Sequence, residues 1–161
     1  MRRFLPREGE VAKTSPVPAF GGTPPPGGET GHLTWRAMRL GDLVSNSPYV
    51  CGPETTVLEA AVAMEDSDLG SLAVVEGREL IGLVTERDIR RSVADGIDLG
   101  TQVSTIMSGD PDTFDPDLDV WDAAAWIAES GYRHLPVIDD EGSLLGVVSI
   151  RDLLKALVDT V

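Results

Sequence analysis

The chain has 161 residues, 42% of them apolar, a net charge of −14 at pH 7 and one cysteine. That length suits a single core of two small lobes with little room for a separate catalytic domain, and the acidity disfavours a nucleic-acid partner. Cys51 alone allows no intrachain disulfide and no thiolate metal cage, and reads as a buried structural thiol.

Residues 1 to 35 hold nine of the chain's prolines and glycines between Pro16 and Gly28 and show no apolar periodicity, so a disordered tail is expected. Arg2-Arg3-Phe4-Leu5 is followed by Pro6-Arg7-Glu8 rather than by an apolar stretch, which argues against export. From Leu40-Gly41-Asp42-Leu43-Val44, a short element, the ordered part begins. Tyr49-Val50-Cys51 reads as a strand. Thr56-Val57-Leu58-Glu59 is a capping box opening a helix whose stripe is Val57, Ala60, Ala61 and Met64. Strands at 71–75 and 80–84 flank a hairpin turn at 76–79, and a helix covers 86–94. After a linker at 98–102, the short element returns as 103–107. Thr113-Phe114 then reads as a strand, and Asp119 caps a helix carrying Val120, Ala123, Ala124 and Ile127. Strands at 135–138 and 144–148 enclose a turn at 140–142, and a helix runs from about 150 to 159. The longest apolar runs are strand-sized, far below the roughly 20 residues that span a bilayer. A soluble, cytoplasmic protein without a membrane partner is expected.

The chain is therefore a duplication. Gly82-Leu83-Val84-Thr85-Glu86-Arg87-Asp88 recurs as Gly146-Val147-Val148-Ser149-Ile150-Arg151-Asp152 at an offset of sixty-four, whereas Pro53, Val57, Ala60 and Val75 match Pro116, Val120, Ala123 and Ile138 at sixty-three. One residue is inserted near Glu141. The two copies span 40–98 and 103–160, each β-α-β-β-α, and any site is expected at their pseudo-symmetric junction. Thr85 and Ser149 end strands and begin helices, where free N–H groups and the positive dipole end favour phosphate. Asp88 and Asp152 lie about one helical turn on, facing the same side. Hydroxyl and carboxylate at that spacing suit a ribose phosphate, or else serve only as a capping box. Residues 40–161 carry seven cations against twenty-four acids, yet Arg87, Arg90, Arg91, Arg151 and Lys155 cluster at the two motifs and Arg133 precedes a strand. Solvated helix cations and a local cationic cleft for an anionic small molecule both fit that pattern.

With Leu135-Pro136-Val137-Ile138-Asp139 and the twin Gly-apolar-apolar-Thr/Ser-x-x-Asp motifs, residues 40–160 resemble a tandem pair of cystathionine-β-synthase (CBS) domains. The resemblance implies an α+β fold, two repeats packed with pseudo-two-fold symmetry, and two clefts for adenosine-containing ligands: AMP, ADP, ATP or S-adenosylmethionine, with Mg²⁺ as a companion of ATP. It implies that Thr85 and Ser149 meet ribose or phosphate and that Asp88 and Asp152 accept from ribose hydroxyls. Arg133 and His134, with Arg87 and Arg151, complete the candidate nucleotide-binding set. Because Gly70 and Ser71 stand opposite Arg133 and His134, the clefts should be unequal; by analogy Val50, Cys51, Thr113 and Phe114 offer walls for adenine. The implied role is regulatory, reporting nucleotide state to a regulated partner, with a ligand-free interaction scaffold as the alternative. Trp121 or Trp126, with the surface of Glu59 to Glu65, would form a homodimer interface. The sequence holds no P-loop, no Gly-x-Ser-x-Gly and no nucleophile–His pairing, and the run from Asp110 to Asp119 lacks the glycine and glutamate of an EF-hand, so neither catalytic nor metal-binding residues are expected.

Overall fold

The computed structural model describes residues 38–44 and 48–159; the expected tail lies outside them. Helix α1 (Leu40–Leu43) is followed by β1 (Val50–Cys51), α2 (Val57–Asp66), β2 (Ser71–Glu76), β3 (Glu79–Thr85) and α3 (Glu86–Ala94). A 3-10 turn (Val103–Thr105) and β4 (Ser108–Gly109) precede α4 (Val120–Ser130), β5 (His134–Ile138), β6 (Leu144–Ser149) and α5 (Ile150–Val158). The fold is α+β and doubled, as the sequence implies. One sheet has the order β1-β2-β3-β4, and β5 pairs with β6 in a second.

Local chemistry sets the helix ends. Thr56 opens α2 by accepting from Glu59 N at 3.2 Å, while the Glu59 carboxylate accepts from Thr56 N at 2.8 Å and is held below the usual carboxylate value by these bonds. Asp119 opens α4 by accepting from Trp121 N at 2.8 Å. Gly131 closes it at φ 73°, a conformation that favours glycine. Val57, Ala60 and Met64 of α2, and Val120, Ala123 and Ile127 of α4, are buried as their spacing predicts, while Ala61 and Ala124 are only half-buried.

The copies match down to their irregularities. Both hairpins carry a bulge at equivalent places, between Val74 and Val75 and between Val137 and Ile138. The inserted residue lengthens the second hairpin, where Asp139 Oδ1 accepts from Glu141 N (3.0 Å) and Ser143 N (2.7 Å). One expectation is corrected. Val50 and Cys51 pair in parallel with Ala73 and Val74, but Thr113-Phe114 forms isolated bridges rather than a strand, Phe114 pairing in parallel with Val137. The cause is Pro136. Its counterpart Ala73 donates its N–H to Tyr49 O at 3.3 Å, and proline has no N–H with which to repeat that bond.

The segments leading into the copies are exchanged. Leu40 N and Gly41 N donate to Leu118 O (2.9 Å) and Pro116 O (2.8 Å) of the second copy; sixty-three positions later, Val103 N and Ser104 N donate to Thr55 O (2.7 Å) and Pro53 O (3.3 Å) of the first. Each anchors a foreign core. Leu40 is buried with Phe114, Val120, Leu135 and Val148, and Val103 with Ala60, Met64, Leu72 and Val84. Burying a leucine or valine side chain in full contributes about 1.5–3 kcal/mol, so each lobe is stabilised by a piece of the other repeat. The motif glycines admit these pieces: a Cβ on Gly82 would overlap Met107, and one on Gly146 would lie 2.5 Å from Val44 Cγ1.

Candidate functional site

The exchange brings both motifs to the junction of the lobes. Thr85 is the last residue of β3 and the N-cap of α3; Ser149 is the last of β6 and the N-cap of α5. Thr85 N and Oγ1 donate to Asp88 Oδ2 at 2.9 and 2.6 Å, and Asp88 N returns a bond to Thr85 Oγ1 at 3.4 Å. The second copy repeats this: Ser149 N and Oγ donate to Asp152 Oδ2 at 2.8 and 2.6 Å, and Asp152 N donates to Ser149 Oγ at 3.3 Å. Both motifs are complete capping boxes. In each, one carboxylate oxygen accepts from cap N–H and hydroxyl, and among the described residues Oδ1 carries no hydrogen bond, so the capping role leaves one acceptor unused.

Two clefts open onto these pairs. The first, about 570 Å³, is lined by Thr85, Arg87, Asp88 and Arg90 from the first copy. Ser108 to Asp112, Phe114, Trp126 and Tyr132 to His134 face them. The second, about 470 Å³, is lined by Ser149, Arg151 and Asp152, with Pro48, Tyr49 and Asp68 to Ser71 across it. Thr85, Arg87 and Asp88 are thus grouped in one cleft, and Ser149, Arg151 and Asp152 in the other. Arg133 and His134 line both, as do Gly70 and Glu86, so the clefts abut. Their symmetry shows in the backbone, where Glu86 N donates to Gly70 O (3.1 Å) and Ile150 N to Arg133 O (2.9 Å). Volumes of this size lie within the range of small-molecule sites, about 300–1,000 Å³.

The electrostatics are mixed. Arg87, Arg90 and Arg133 reach the first cleft, but so do Glu86, Asp88, Asp110 and Asp112; the second pairs Arg133 and Arg151 with Asp68, Glu86 and Asp152. The clefts are therefore zwitterionic: the arginines of the expected cationic cleft are there, with acids inside the clefts beside them. Arg91 and Lys155 line neither. His134 sits at the shared wall with its Nε2 against Gly70: a Cβ there would lie 2.9 Å from it. Burial lowers the His134 pKa, opposed by Glu86, with smaller contributions downward from Arg133 and Arg151 and upward from Asp152.

Three further expectations meet the structure. Of the proposed adenine walls, Phe114 lines the first cleft, whereas Val50, Cys51 and Thr113 line neither; Cys51 is half-buried rather than fully buried, and burial still pushes its thiol up, against a lowering hydrogen bond with Thr55. Trp126, named with Trp121 for a homodimer interface, is half-buried and turned towards its own lobe. It packs on the second core, edge-on to Phe114 at 4.8 Å and 73°, and faces the first cleft. Tyr132, 5.2 Å from Trp126, was not anticipated; its signal lay in the alignment of the copies, where it falls opposite Leu69. Of the aspartate run, Asp119 caps a helix, Asp115 closes a turn to Asp117 N, and Asp110 and Asp112 line the cleft. No cluster of three metal-ligating side chains occurs among the described residues, and none of their helices is long and apolar enough to cross a membrane.

The CBS-domain family model matches residues 40–95 and 103–159. An uncharacterised 17.7 kDa protein of Acidianus ambivalens is 38% identical over 124 residues, covering 76% of this chain and 75% of the relative. The CBS domain-containing protein YhcV of Bacillus subtilis is 34% identical over 113 residues, covering 70% and 80%. A CBS domain protein of Pyrobaculum aerophilum, solved in complex with AMP, superposes with a TM-score of 0.68 at 27% identity, covering 76% of this chain and 99% of that one.

Proposed function

The chain belongs to the CBS-domain family, and from that premise we propose that it is a regulatory module whose clefts bind adenosine-containing ligands and whose occupancy is read by a partner protein. The observation that carries this reading is the twin placement of a Thr/Ser–Asp pair at a helix N-terminus, each in its own cleft and each with an unused carboxylate oxygen. In the first cleft a ribose diol donates to Asp88 Oδ1, the phosphate meets the start of α3 and Arg87 or Arg133, and the base lies towards Phe114; Asp152 and Arg151 take these parts in the second. AMP, ADP, ATP and S-adenosylmethionine share the ribose this geometry addresses, and Mg²⁺ would enter only with the triphosphate. The AMP complex of the Pyrobaculum relative supports the ligand class. Adenine nucleotides are cytoplasmic metabolites, and we place the protein there.

Isothermal titration with the four ligands tests this. Asp88→Ala and Asp152→Ala should each weaken binding by about 1.5–3 kcal/mol, the range for a charge-assisted bond. Unchanged affinity in both variants and their combination would refute the assignment. The completeness of the capping boxes favours the rival reading, a ligand-free scaffold, which predicts no heat with any of the four.

We also propose a homodimer. Leu58 and Val62 of α2 are 53% and 50% exposed, and at the equivalent outward positions α4 carries Trp121 and Ala125. Two apolar ridges related by the pseudo-two-fold are what a second copy would cover in one symmetric contact. Sedimentation at micromolar concentration should give twice the chain mass and revert towards monomer for Val62→Glu with Trp121→Glu; a monomeric wild type overturns it.

A further inference from the structure

We propose that Tyr132 makes the two clefts chemically unequal, by giving the first a platform for the ligand's base that is backed by an aromatic stack rooted in the core, a support that Tyr49 in the second does not have among the described residues; this rests on the nucleotide reading above. Since Arg133 and His134 line both clefts, charge does not divide them. An exposed tyrosine lines each, Tyr132 the first and Tyr49 the second, and what divides them is the packing behind the ring. Tyr132 is 52% exposed at the wall of the first cleft. Behind it stands Trp126, ring centroids 5.2 Å apart and planes tilted 34°, and behind Trp126 the buried Phe114, edge-on at 4.8 Å. The phenol ring is therefore backed by a stack rooted in the core. Its backbone is fixed as well, between Gly131 in the left-handed conformation and the start of β5, with its N–H donated to Ser130 Oγ at 3.3 Å.

An aromatic ring held this way loses little freedom when a flat base stacks on its open side, and any purine offers the π-face required. At the positions equivalent to Phe114, Trp126 and Tyr132, the first copy has Cys51, Ala63 and Leu69. Leu69 lines the second cleft, so the matching position there is aliphatic. The first cleft should thus draw more of its affinity from stacking on the base, while the second, where Tyr49 has no ring packed behind it among the described residues, leans more on ribose and phosphate contacts.

The test is titration of AMP into wild type, Tyr132→Leu and Tyr132→Phe, together with Trp126 emission in a Trp35→Phe/Trp121→Phe background. Tyr132→Leu installs the first copy's residue and should weaken the tighter AMP step by roughly tenfold, within the range for one base–aromatic stack. Tyr132→Phe should bind as wild type, and Trp126 emission should change as AMP saturates. The proposal is overturned if Leu binds AMP like wild type, if Leu and Phe are weakened alike, or if Trp126 emission stays silent through saturation. A wild type that binds no AMP removes the nucleotide reading and this inference together, whereas tight AMP binding indifferent to Tyr132 removes this inference alone.

Discussion

Gly146→Ala and Gly82→Ala are chemically the same change at equivalent positions, yet they should differ in cost because different side chains cross the two glycines. At Gly146 the new methyl would lie 2.5 Å from Val44 Cγ1 and 3.6 Å from Val44 Cβ, where carbon atoms rest at about 3.5–4.0 Å. Val44 is β-branched and stiff at χ1, so relief requires its backbone, just after α1, to move. Overpacking of this kind costs about 1–3 kcal/mol, offset by the roughly 0.5–1 kcal/mol that alanine gains over glycine within a strand. A net loss of about 1–2 kcal/mol is expected. At Gly82 the obstruction is the thioether end of Met107, with its Cγ at 3.0 Å and Cε at 3.1 Å. Methionine has three rotatable bonds with which to withdraw, and the same offset leaves Gly82→Ala within about 1 kcal/mol of wild type. Urea unfolding reads both as a shift of midpoint at constant slope. Adding Val44→Ala to Gly146→Ala should restore most of the loss, and since Val44 and Gly146 come from different repeats, that coupling measures the exchange directly. Equal costs for the two glycine variants, or no rescue by Val44→Ala, would refute the reasoning.

Asp88→Ala and Asp152→Ala each remove a capping box and should lower stability by about 1 kcal/mol in the same assay without ligand, a loss distinct from their effect on binding; full stability in both would mean the caps do not matter. His134 has a folded pKa below the unfolded value of 6.5 because it is buried. The unfolded chain therefore takes up the proton first, and stability owed to neutral His134 is complete above that value and falls as pH drops through it. His134→Gln should flatten the decline in urea midpoint between roughly pH 7 and 5, and an unaltered slope would contradict the assignment. Because burial pushes the Cys51 thiol up, iodoacetamide at mildly alkaline pH should alkylate the folded protein several-fold more slowly than the urea-unfolded chain, thiolate being the reactive form; equal rates would argue against it.

What was legible in the sequence was whatever is encoded within a few residues. The capping boxes at Thr56, Thr85 and Ser149 and the stripes of α2 and α4 announce themselves locally, and the offset of sixty-three to sixty-four doubles every such signal. The candidate side chains were legible for the same reason, since Thr85 to Asp88 and Ser149 to Asp152 each fit one helical turn. Their grouping was not. That Leu40 anchors the second core and Val103 the first depends on hydrogen bonds between segments far apart in the chain, which leave no local periodicity. The loss of a strand at Thr113-Phe114 was readable only by setting Pro136 against Ala73 across the copies, and the aromatic wall only by setting Tyr132 against Leu69. In a duplicated chain the shared residues specify the scaffold, because both copies must close a core and cap a helix. The unshared ones, free of that common duty, are where two otherwise equivalent clefts acquire different chemistry, and Tyr132 is such a position.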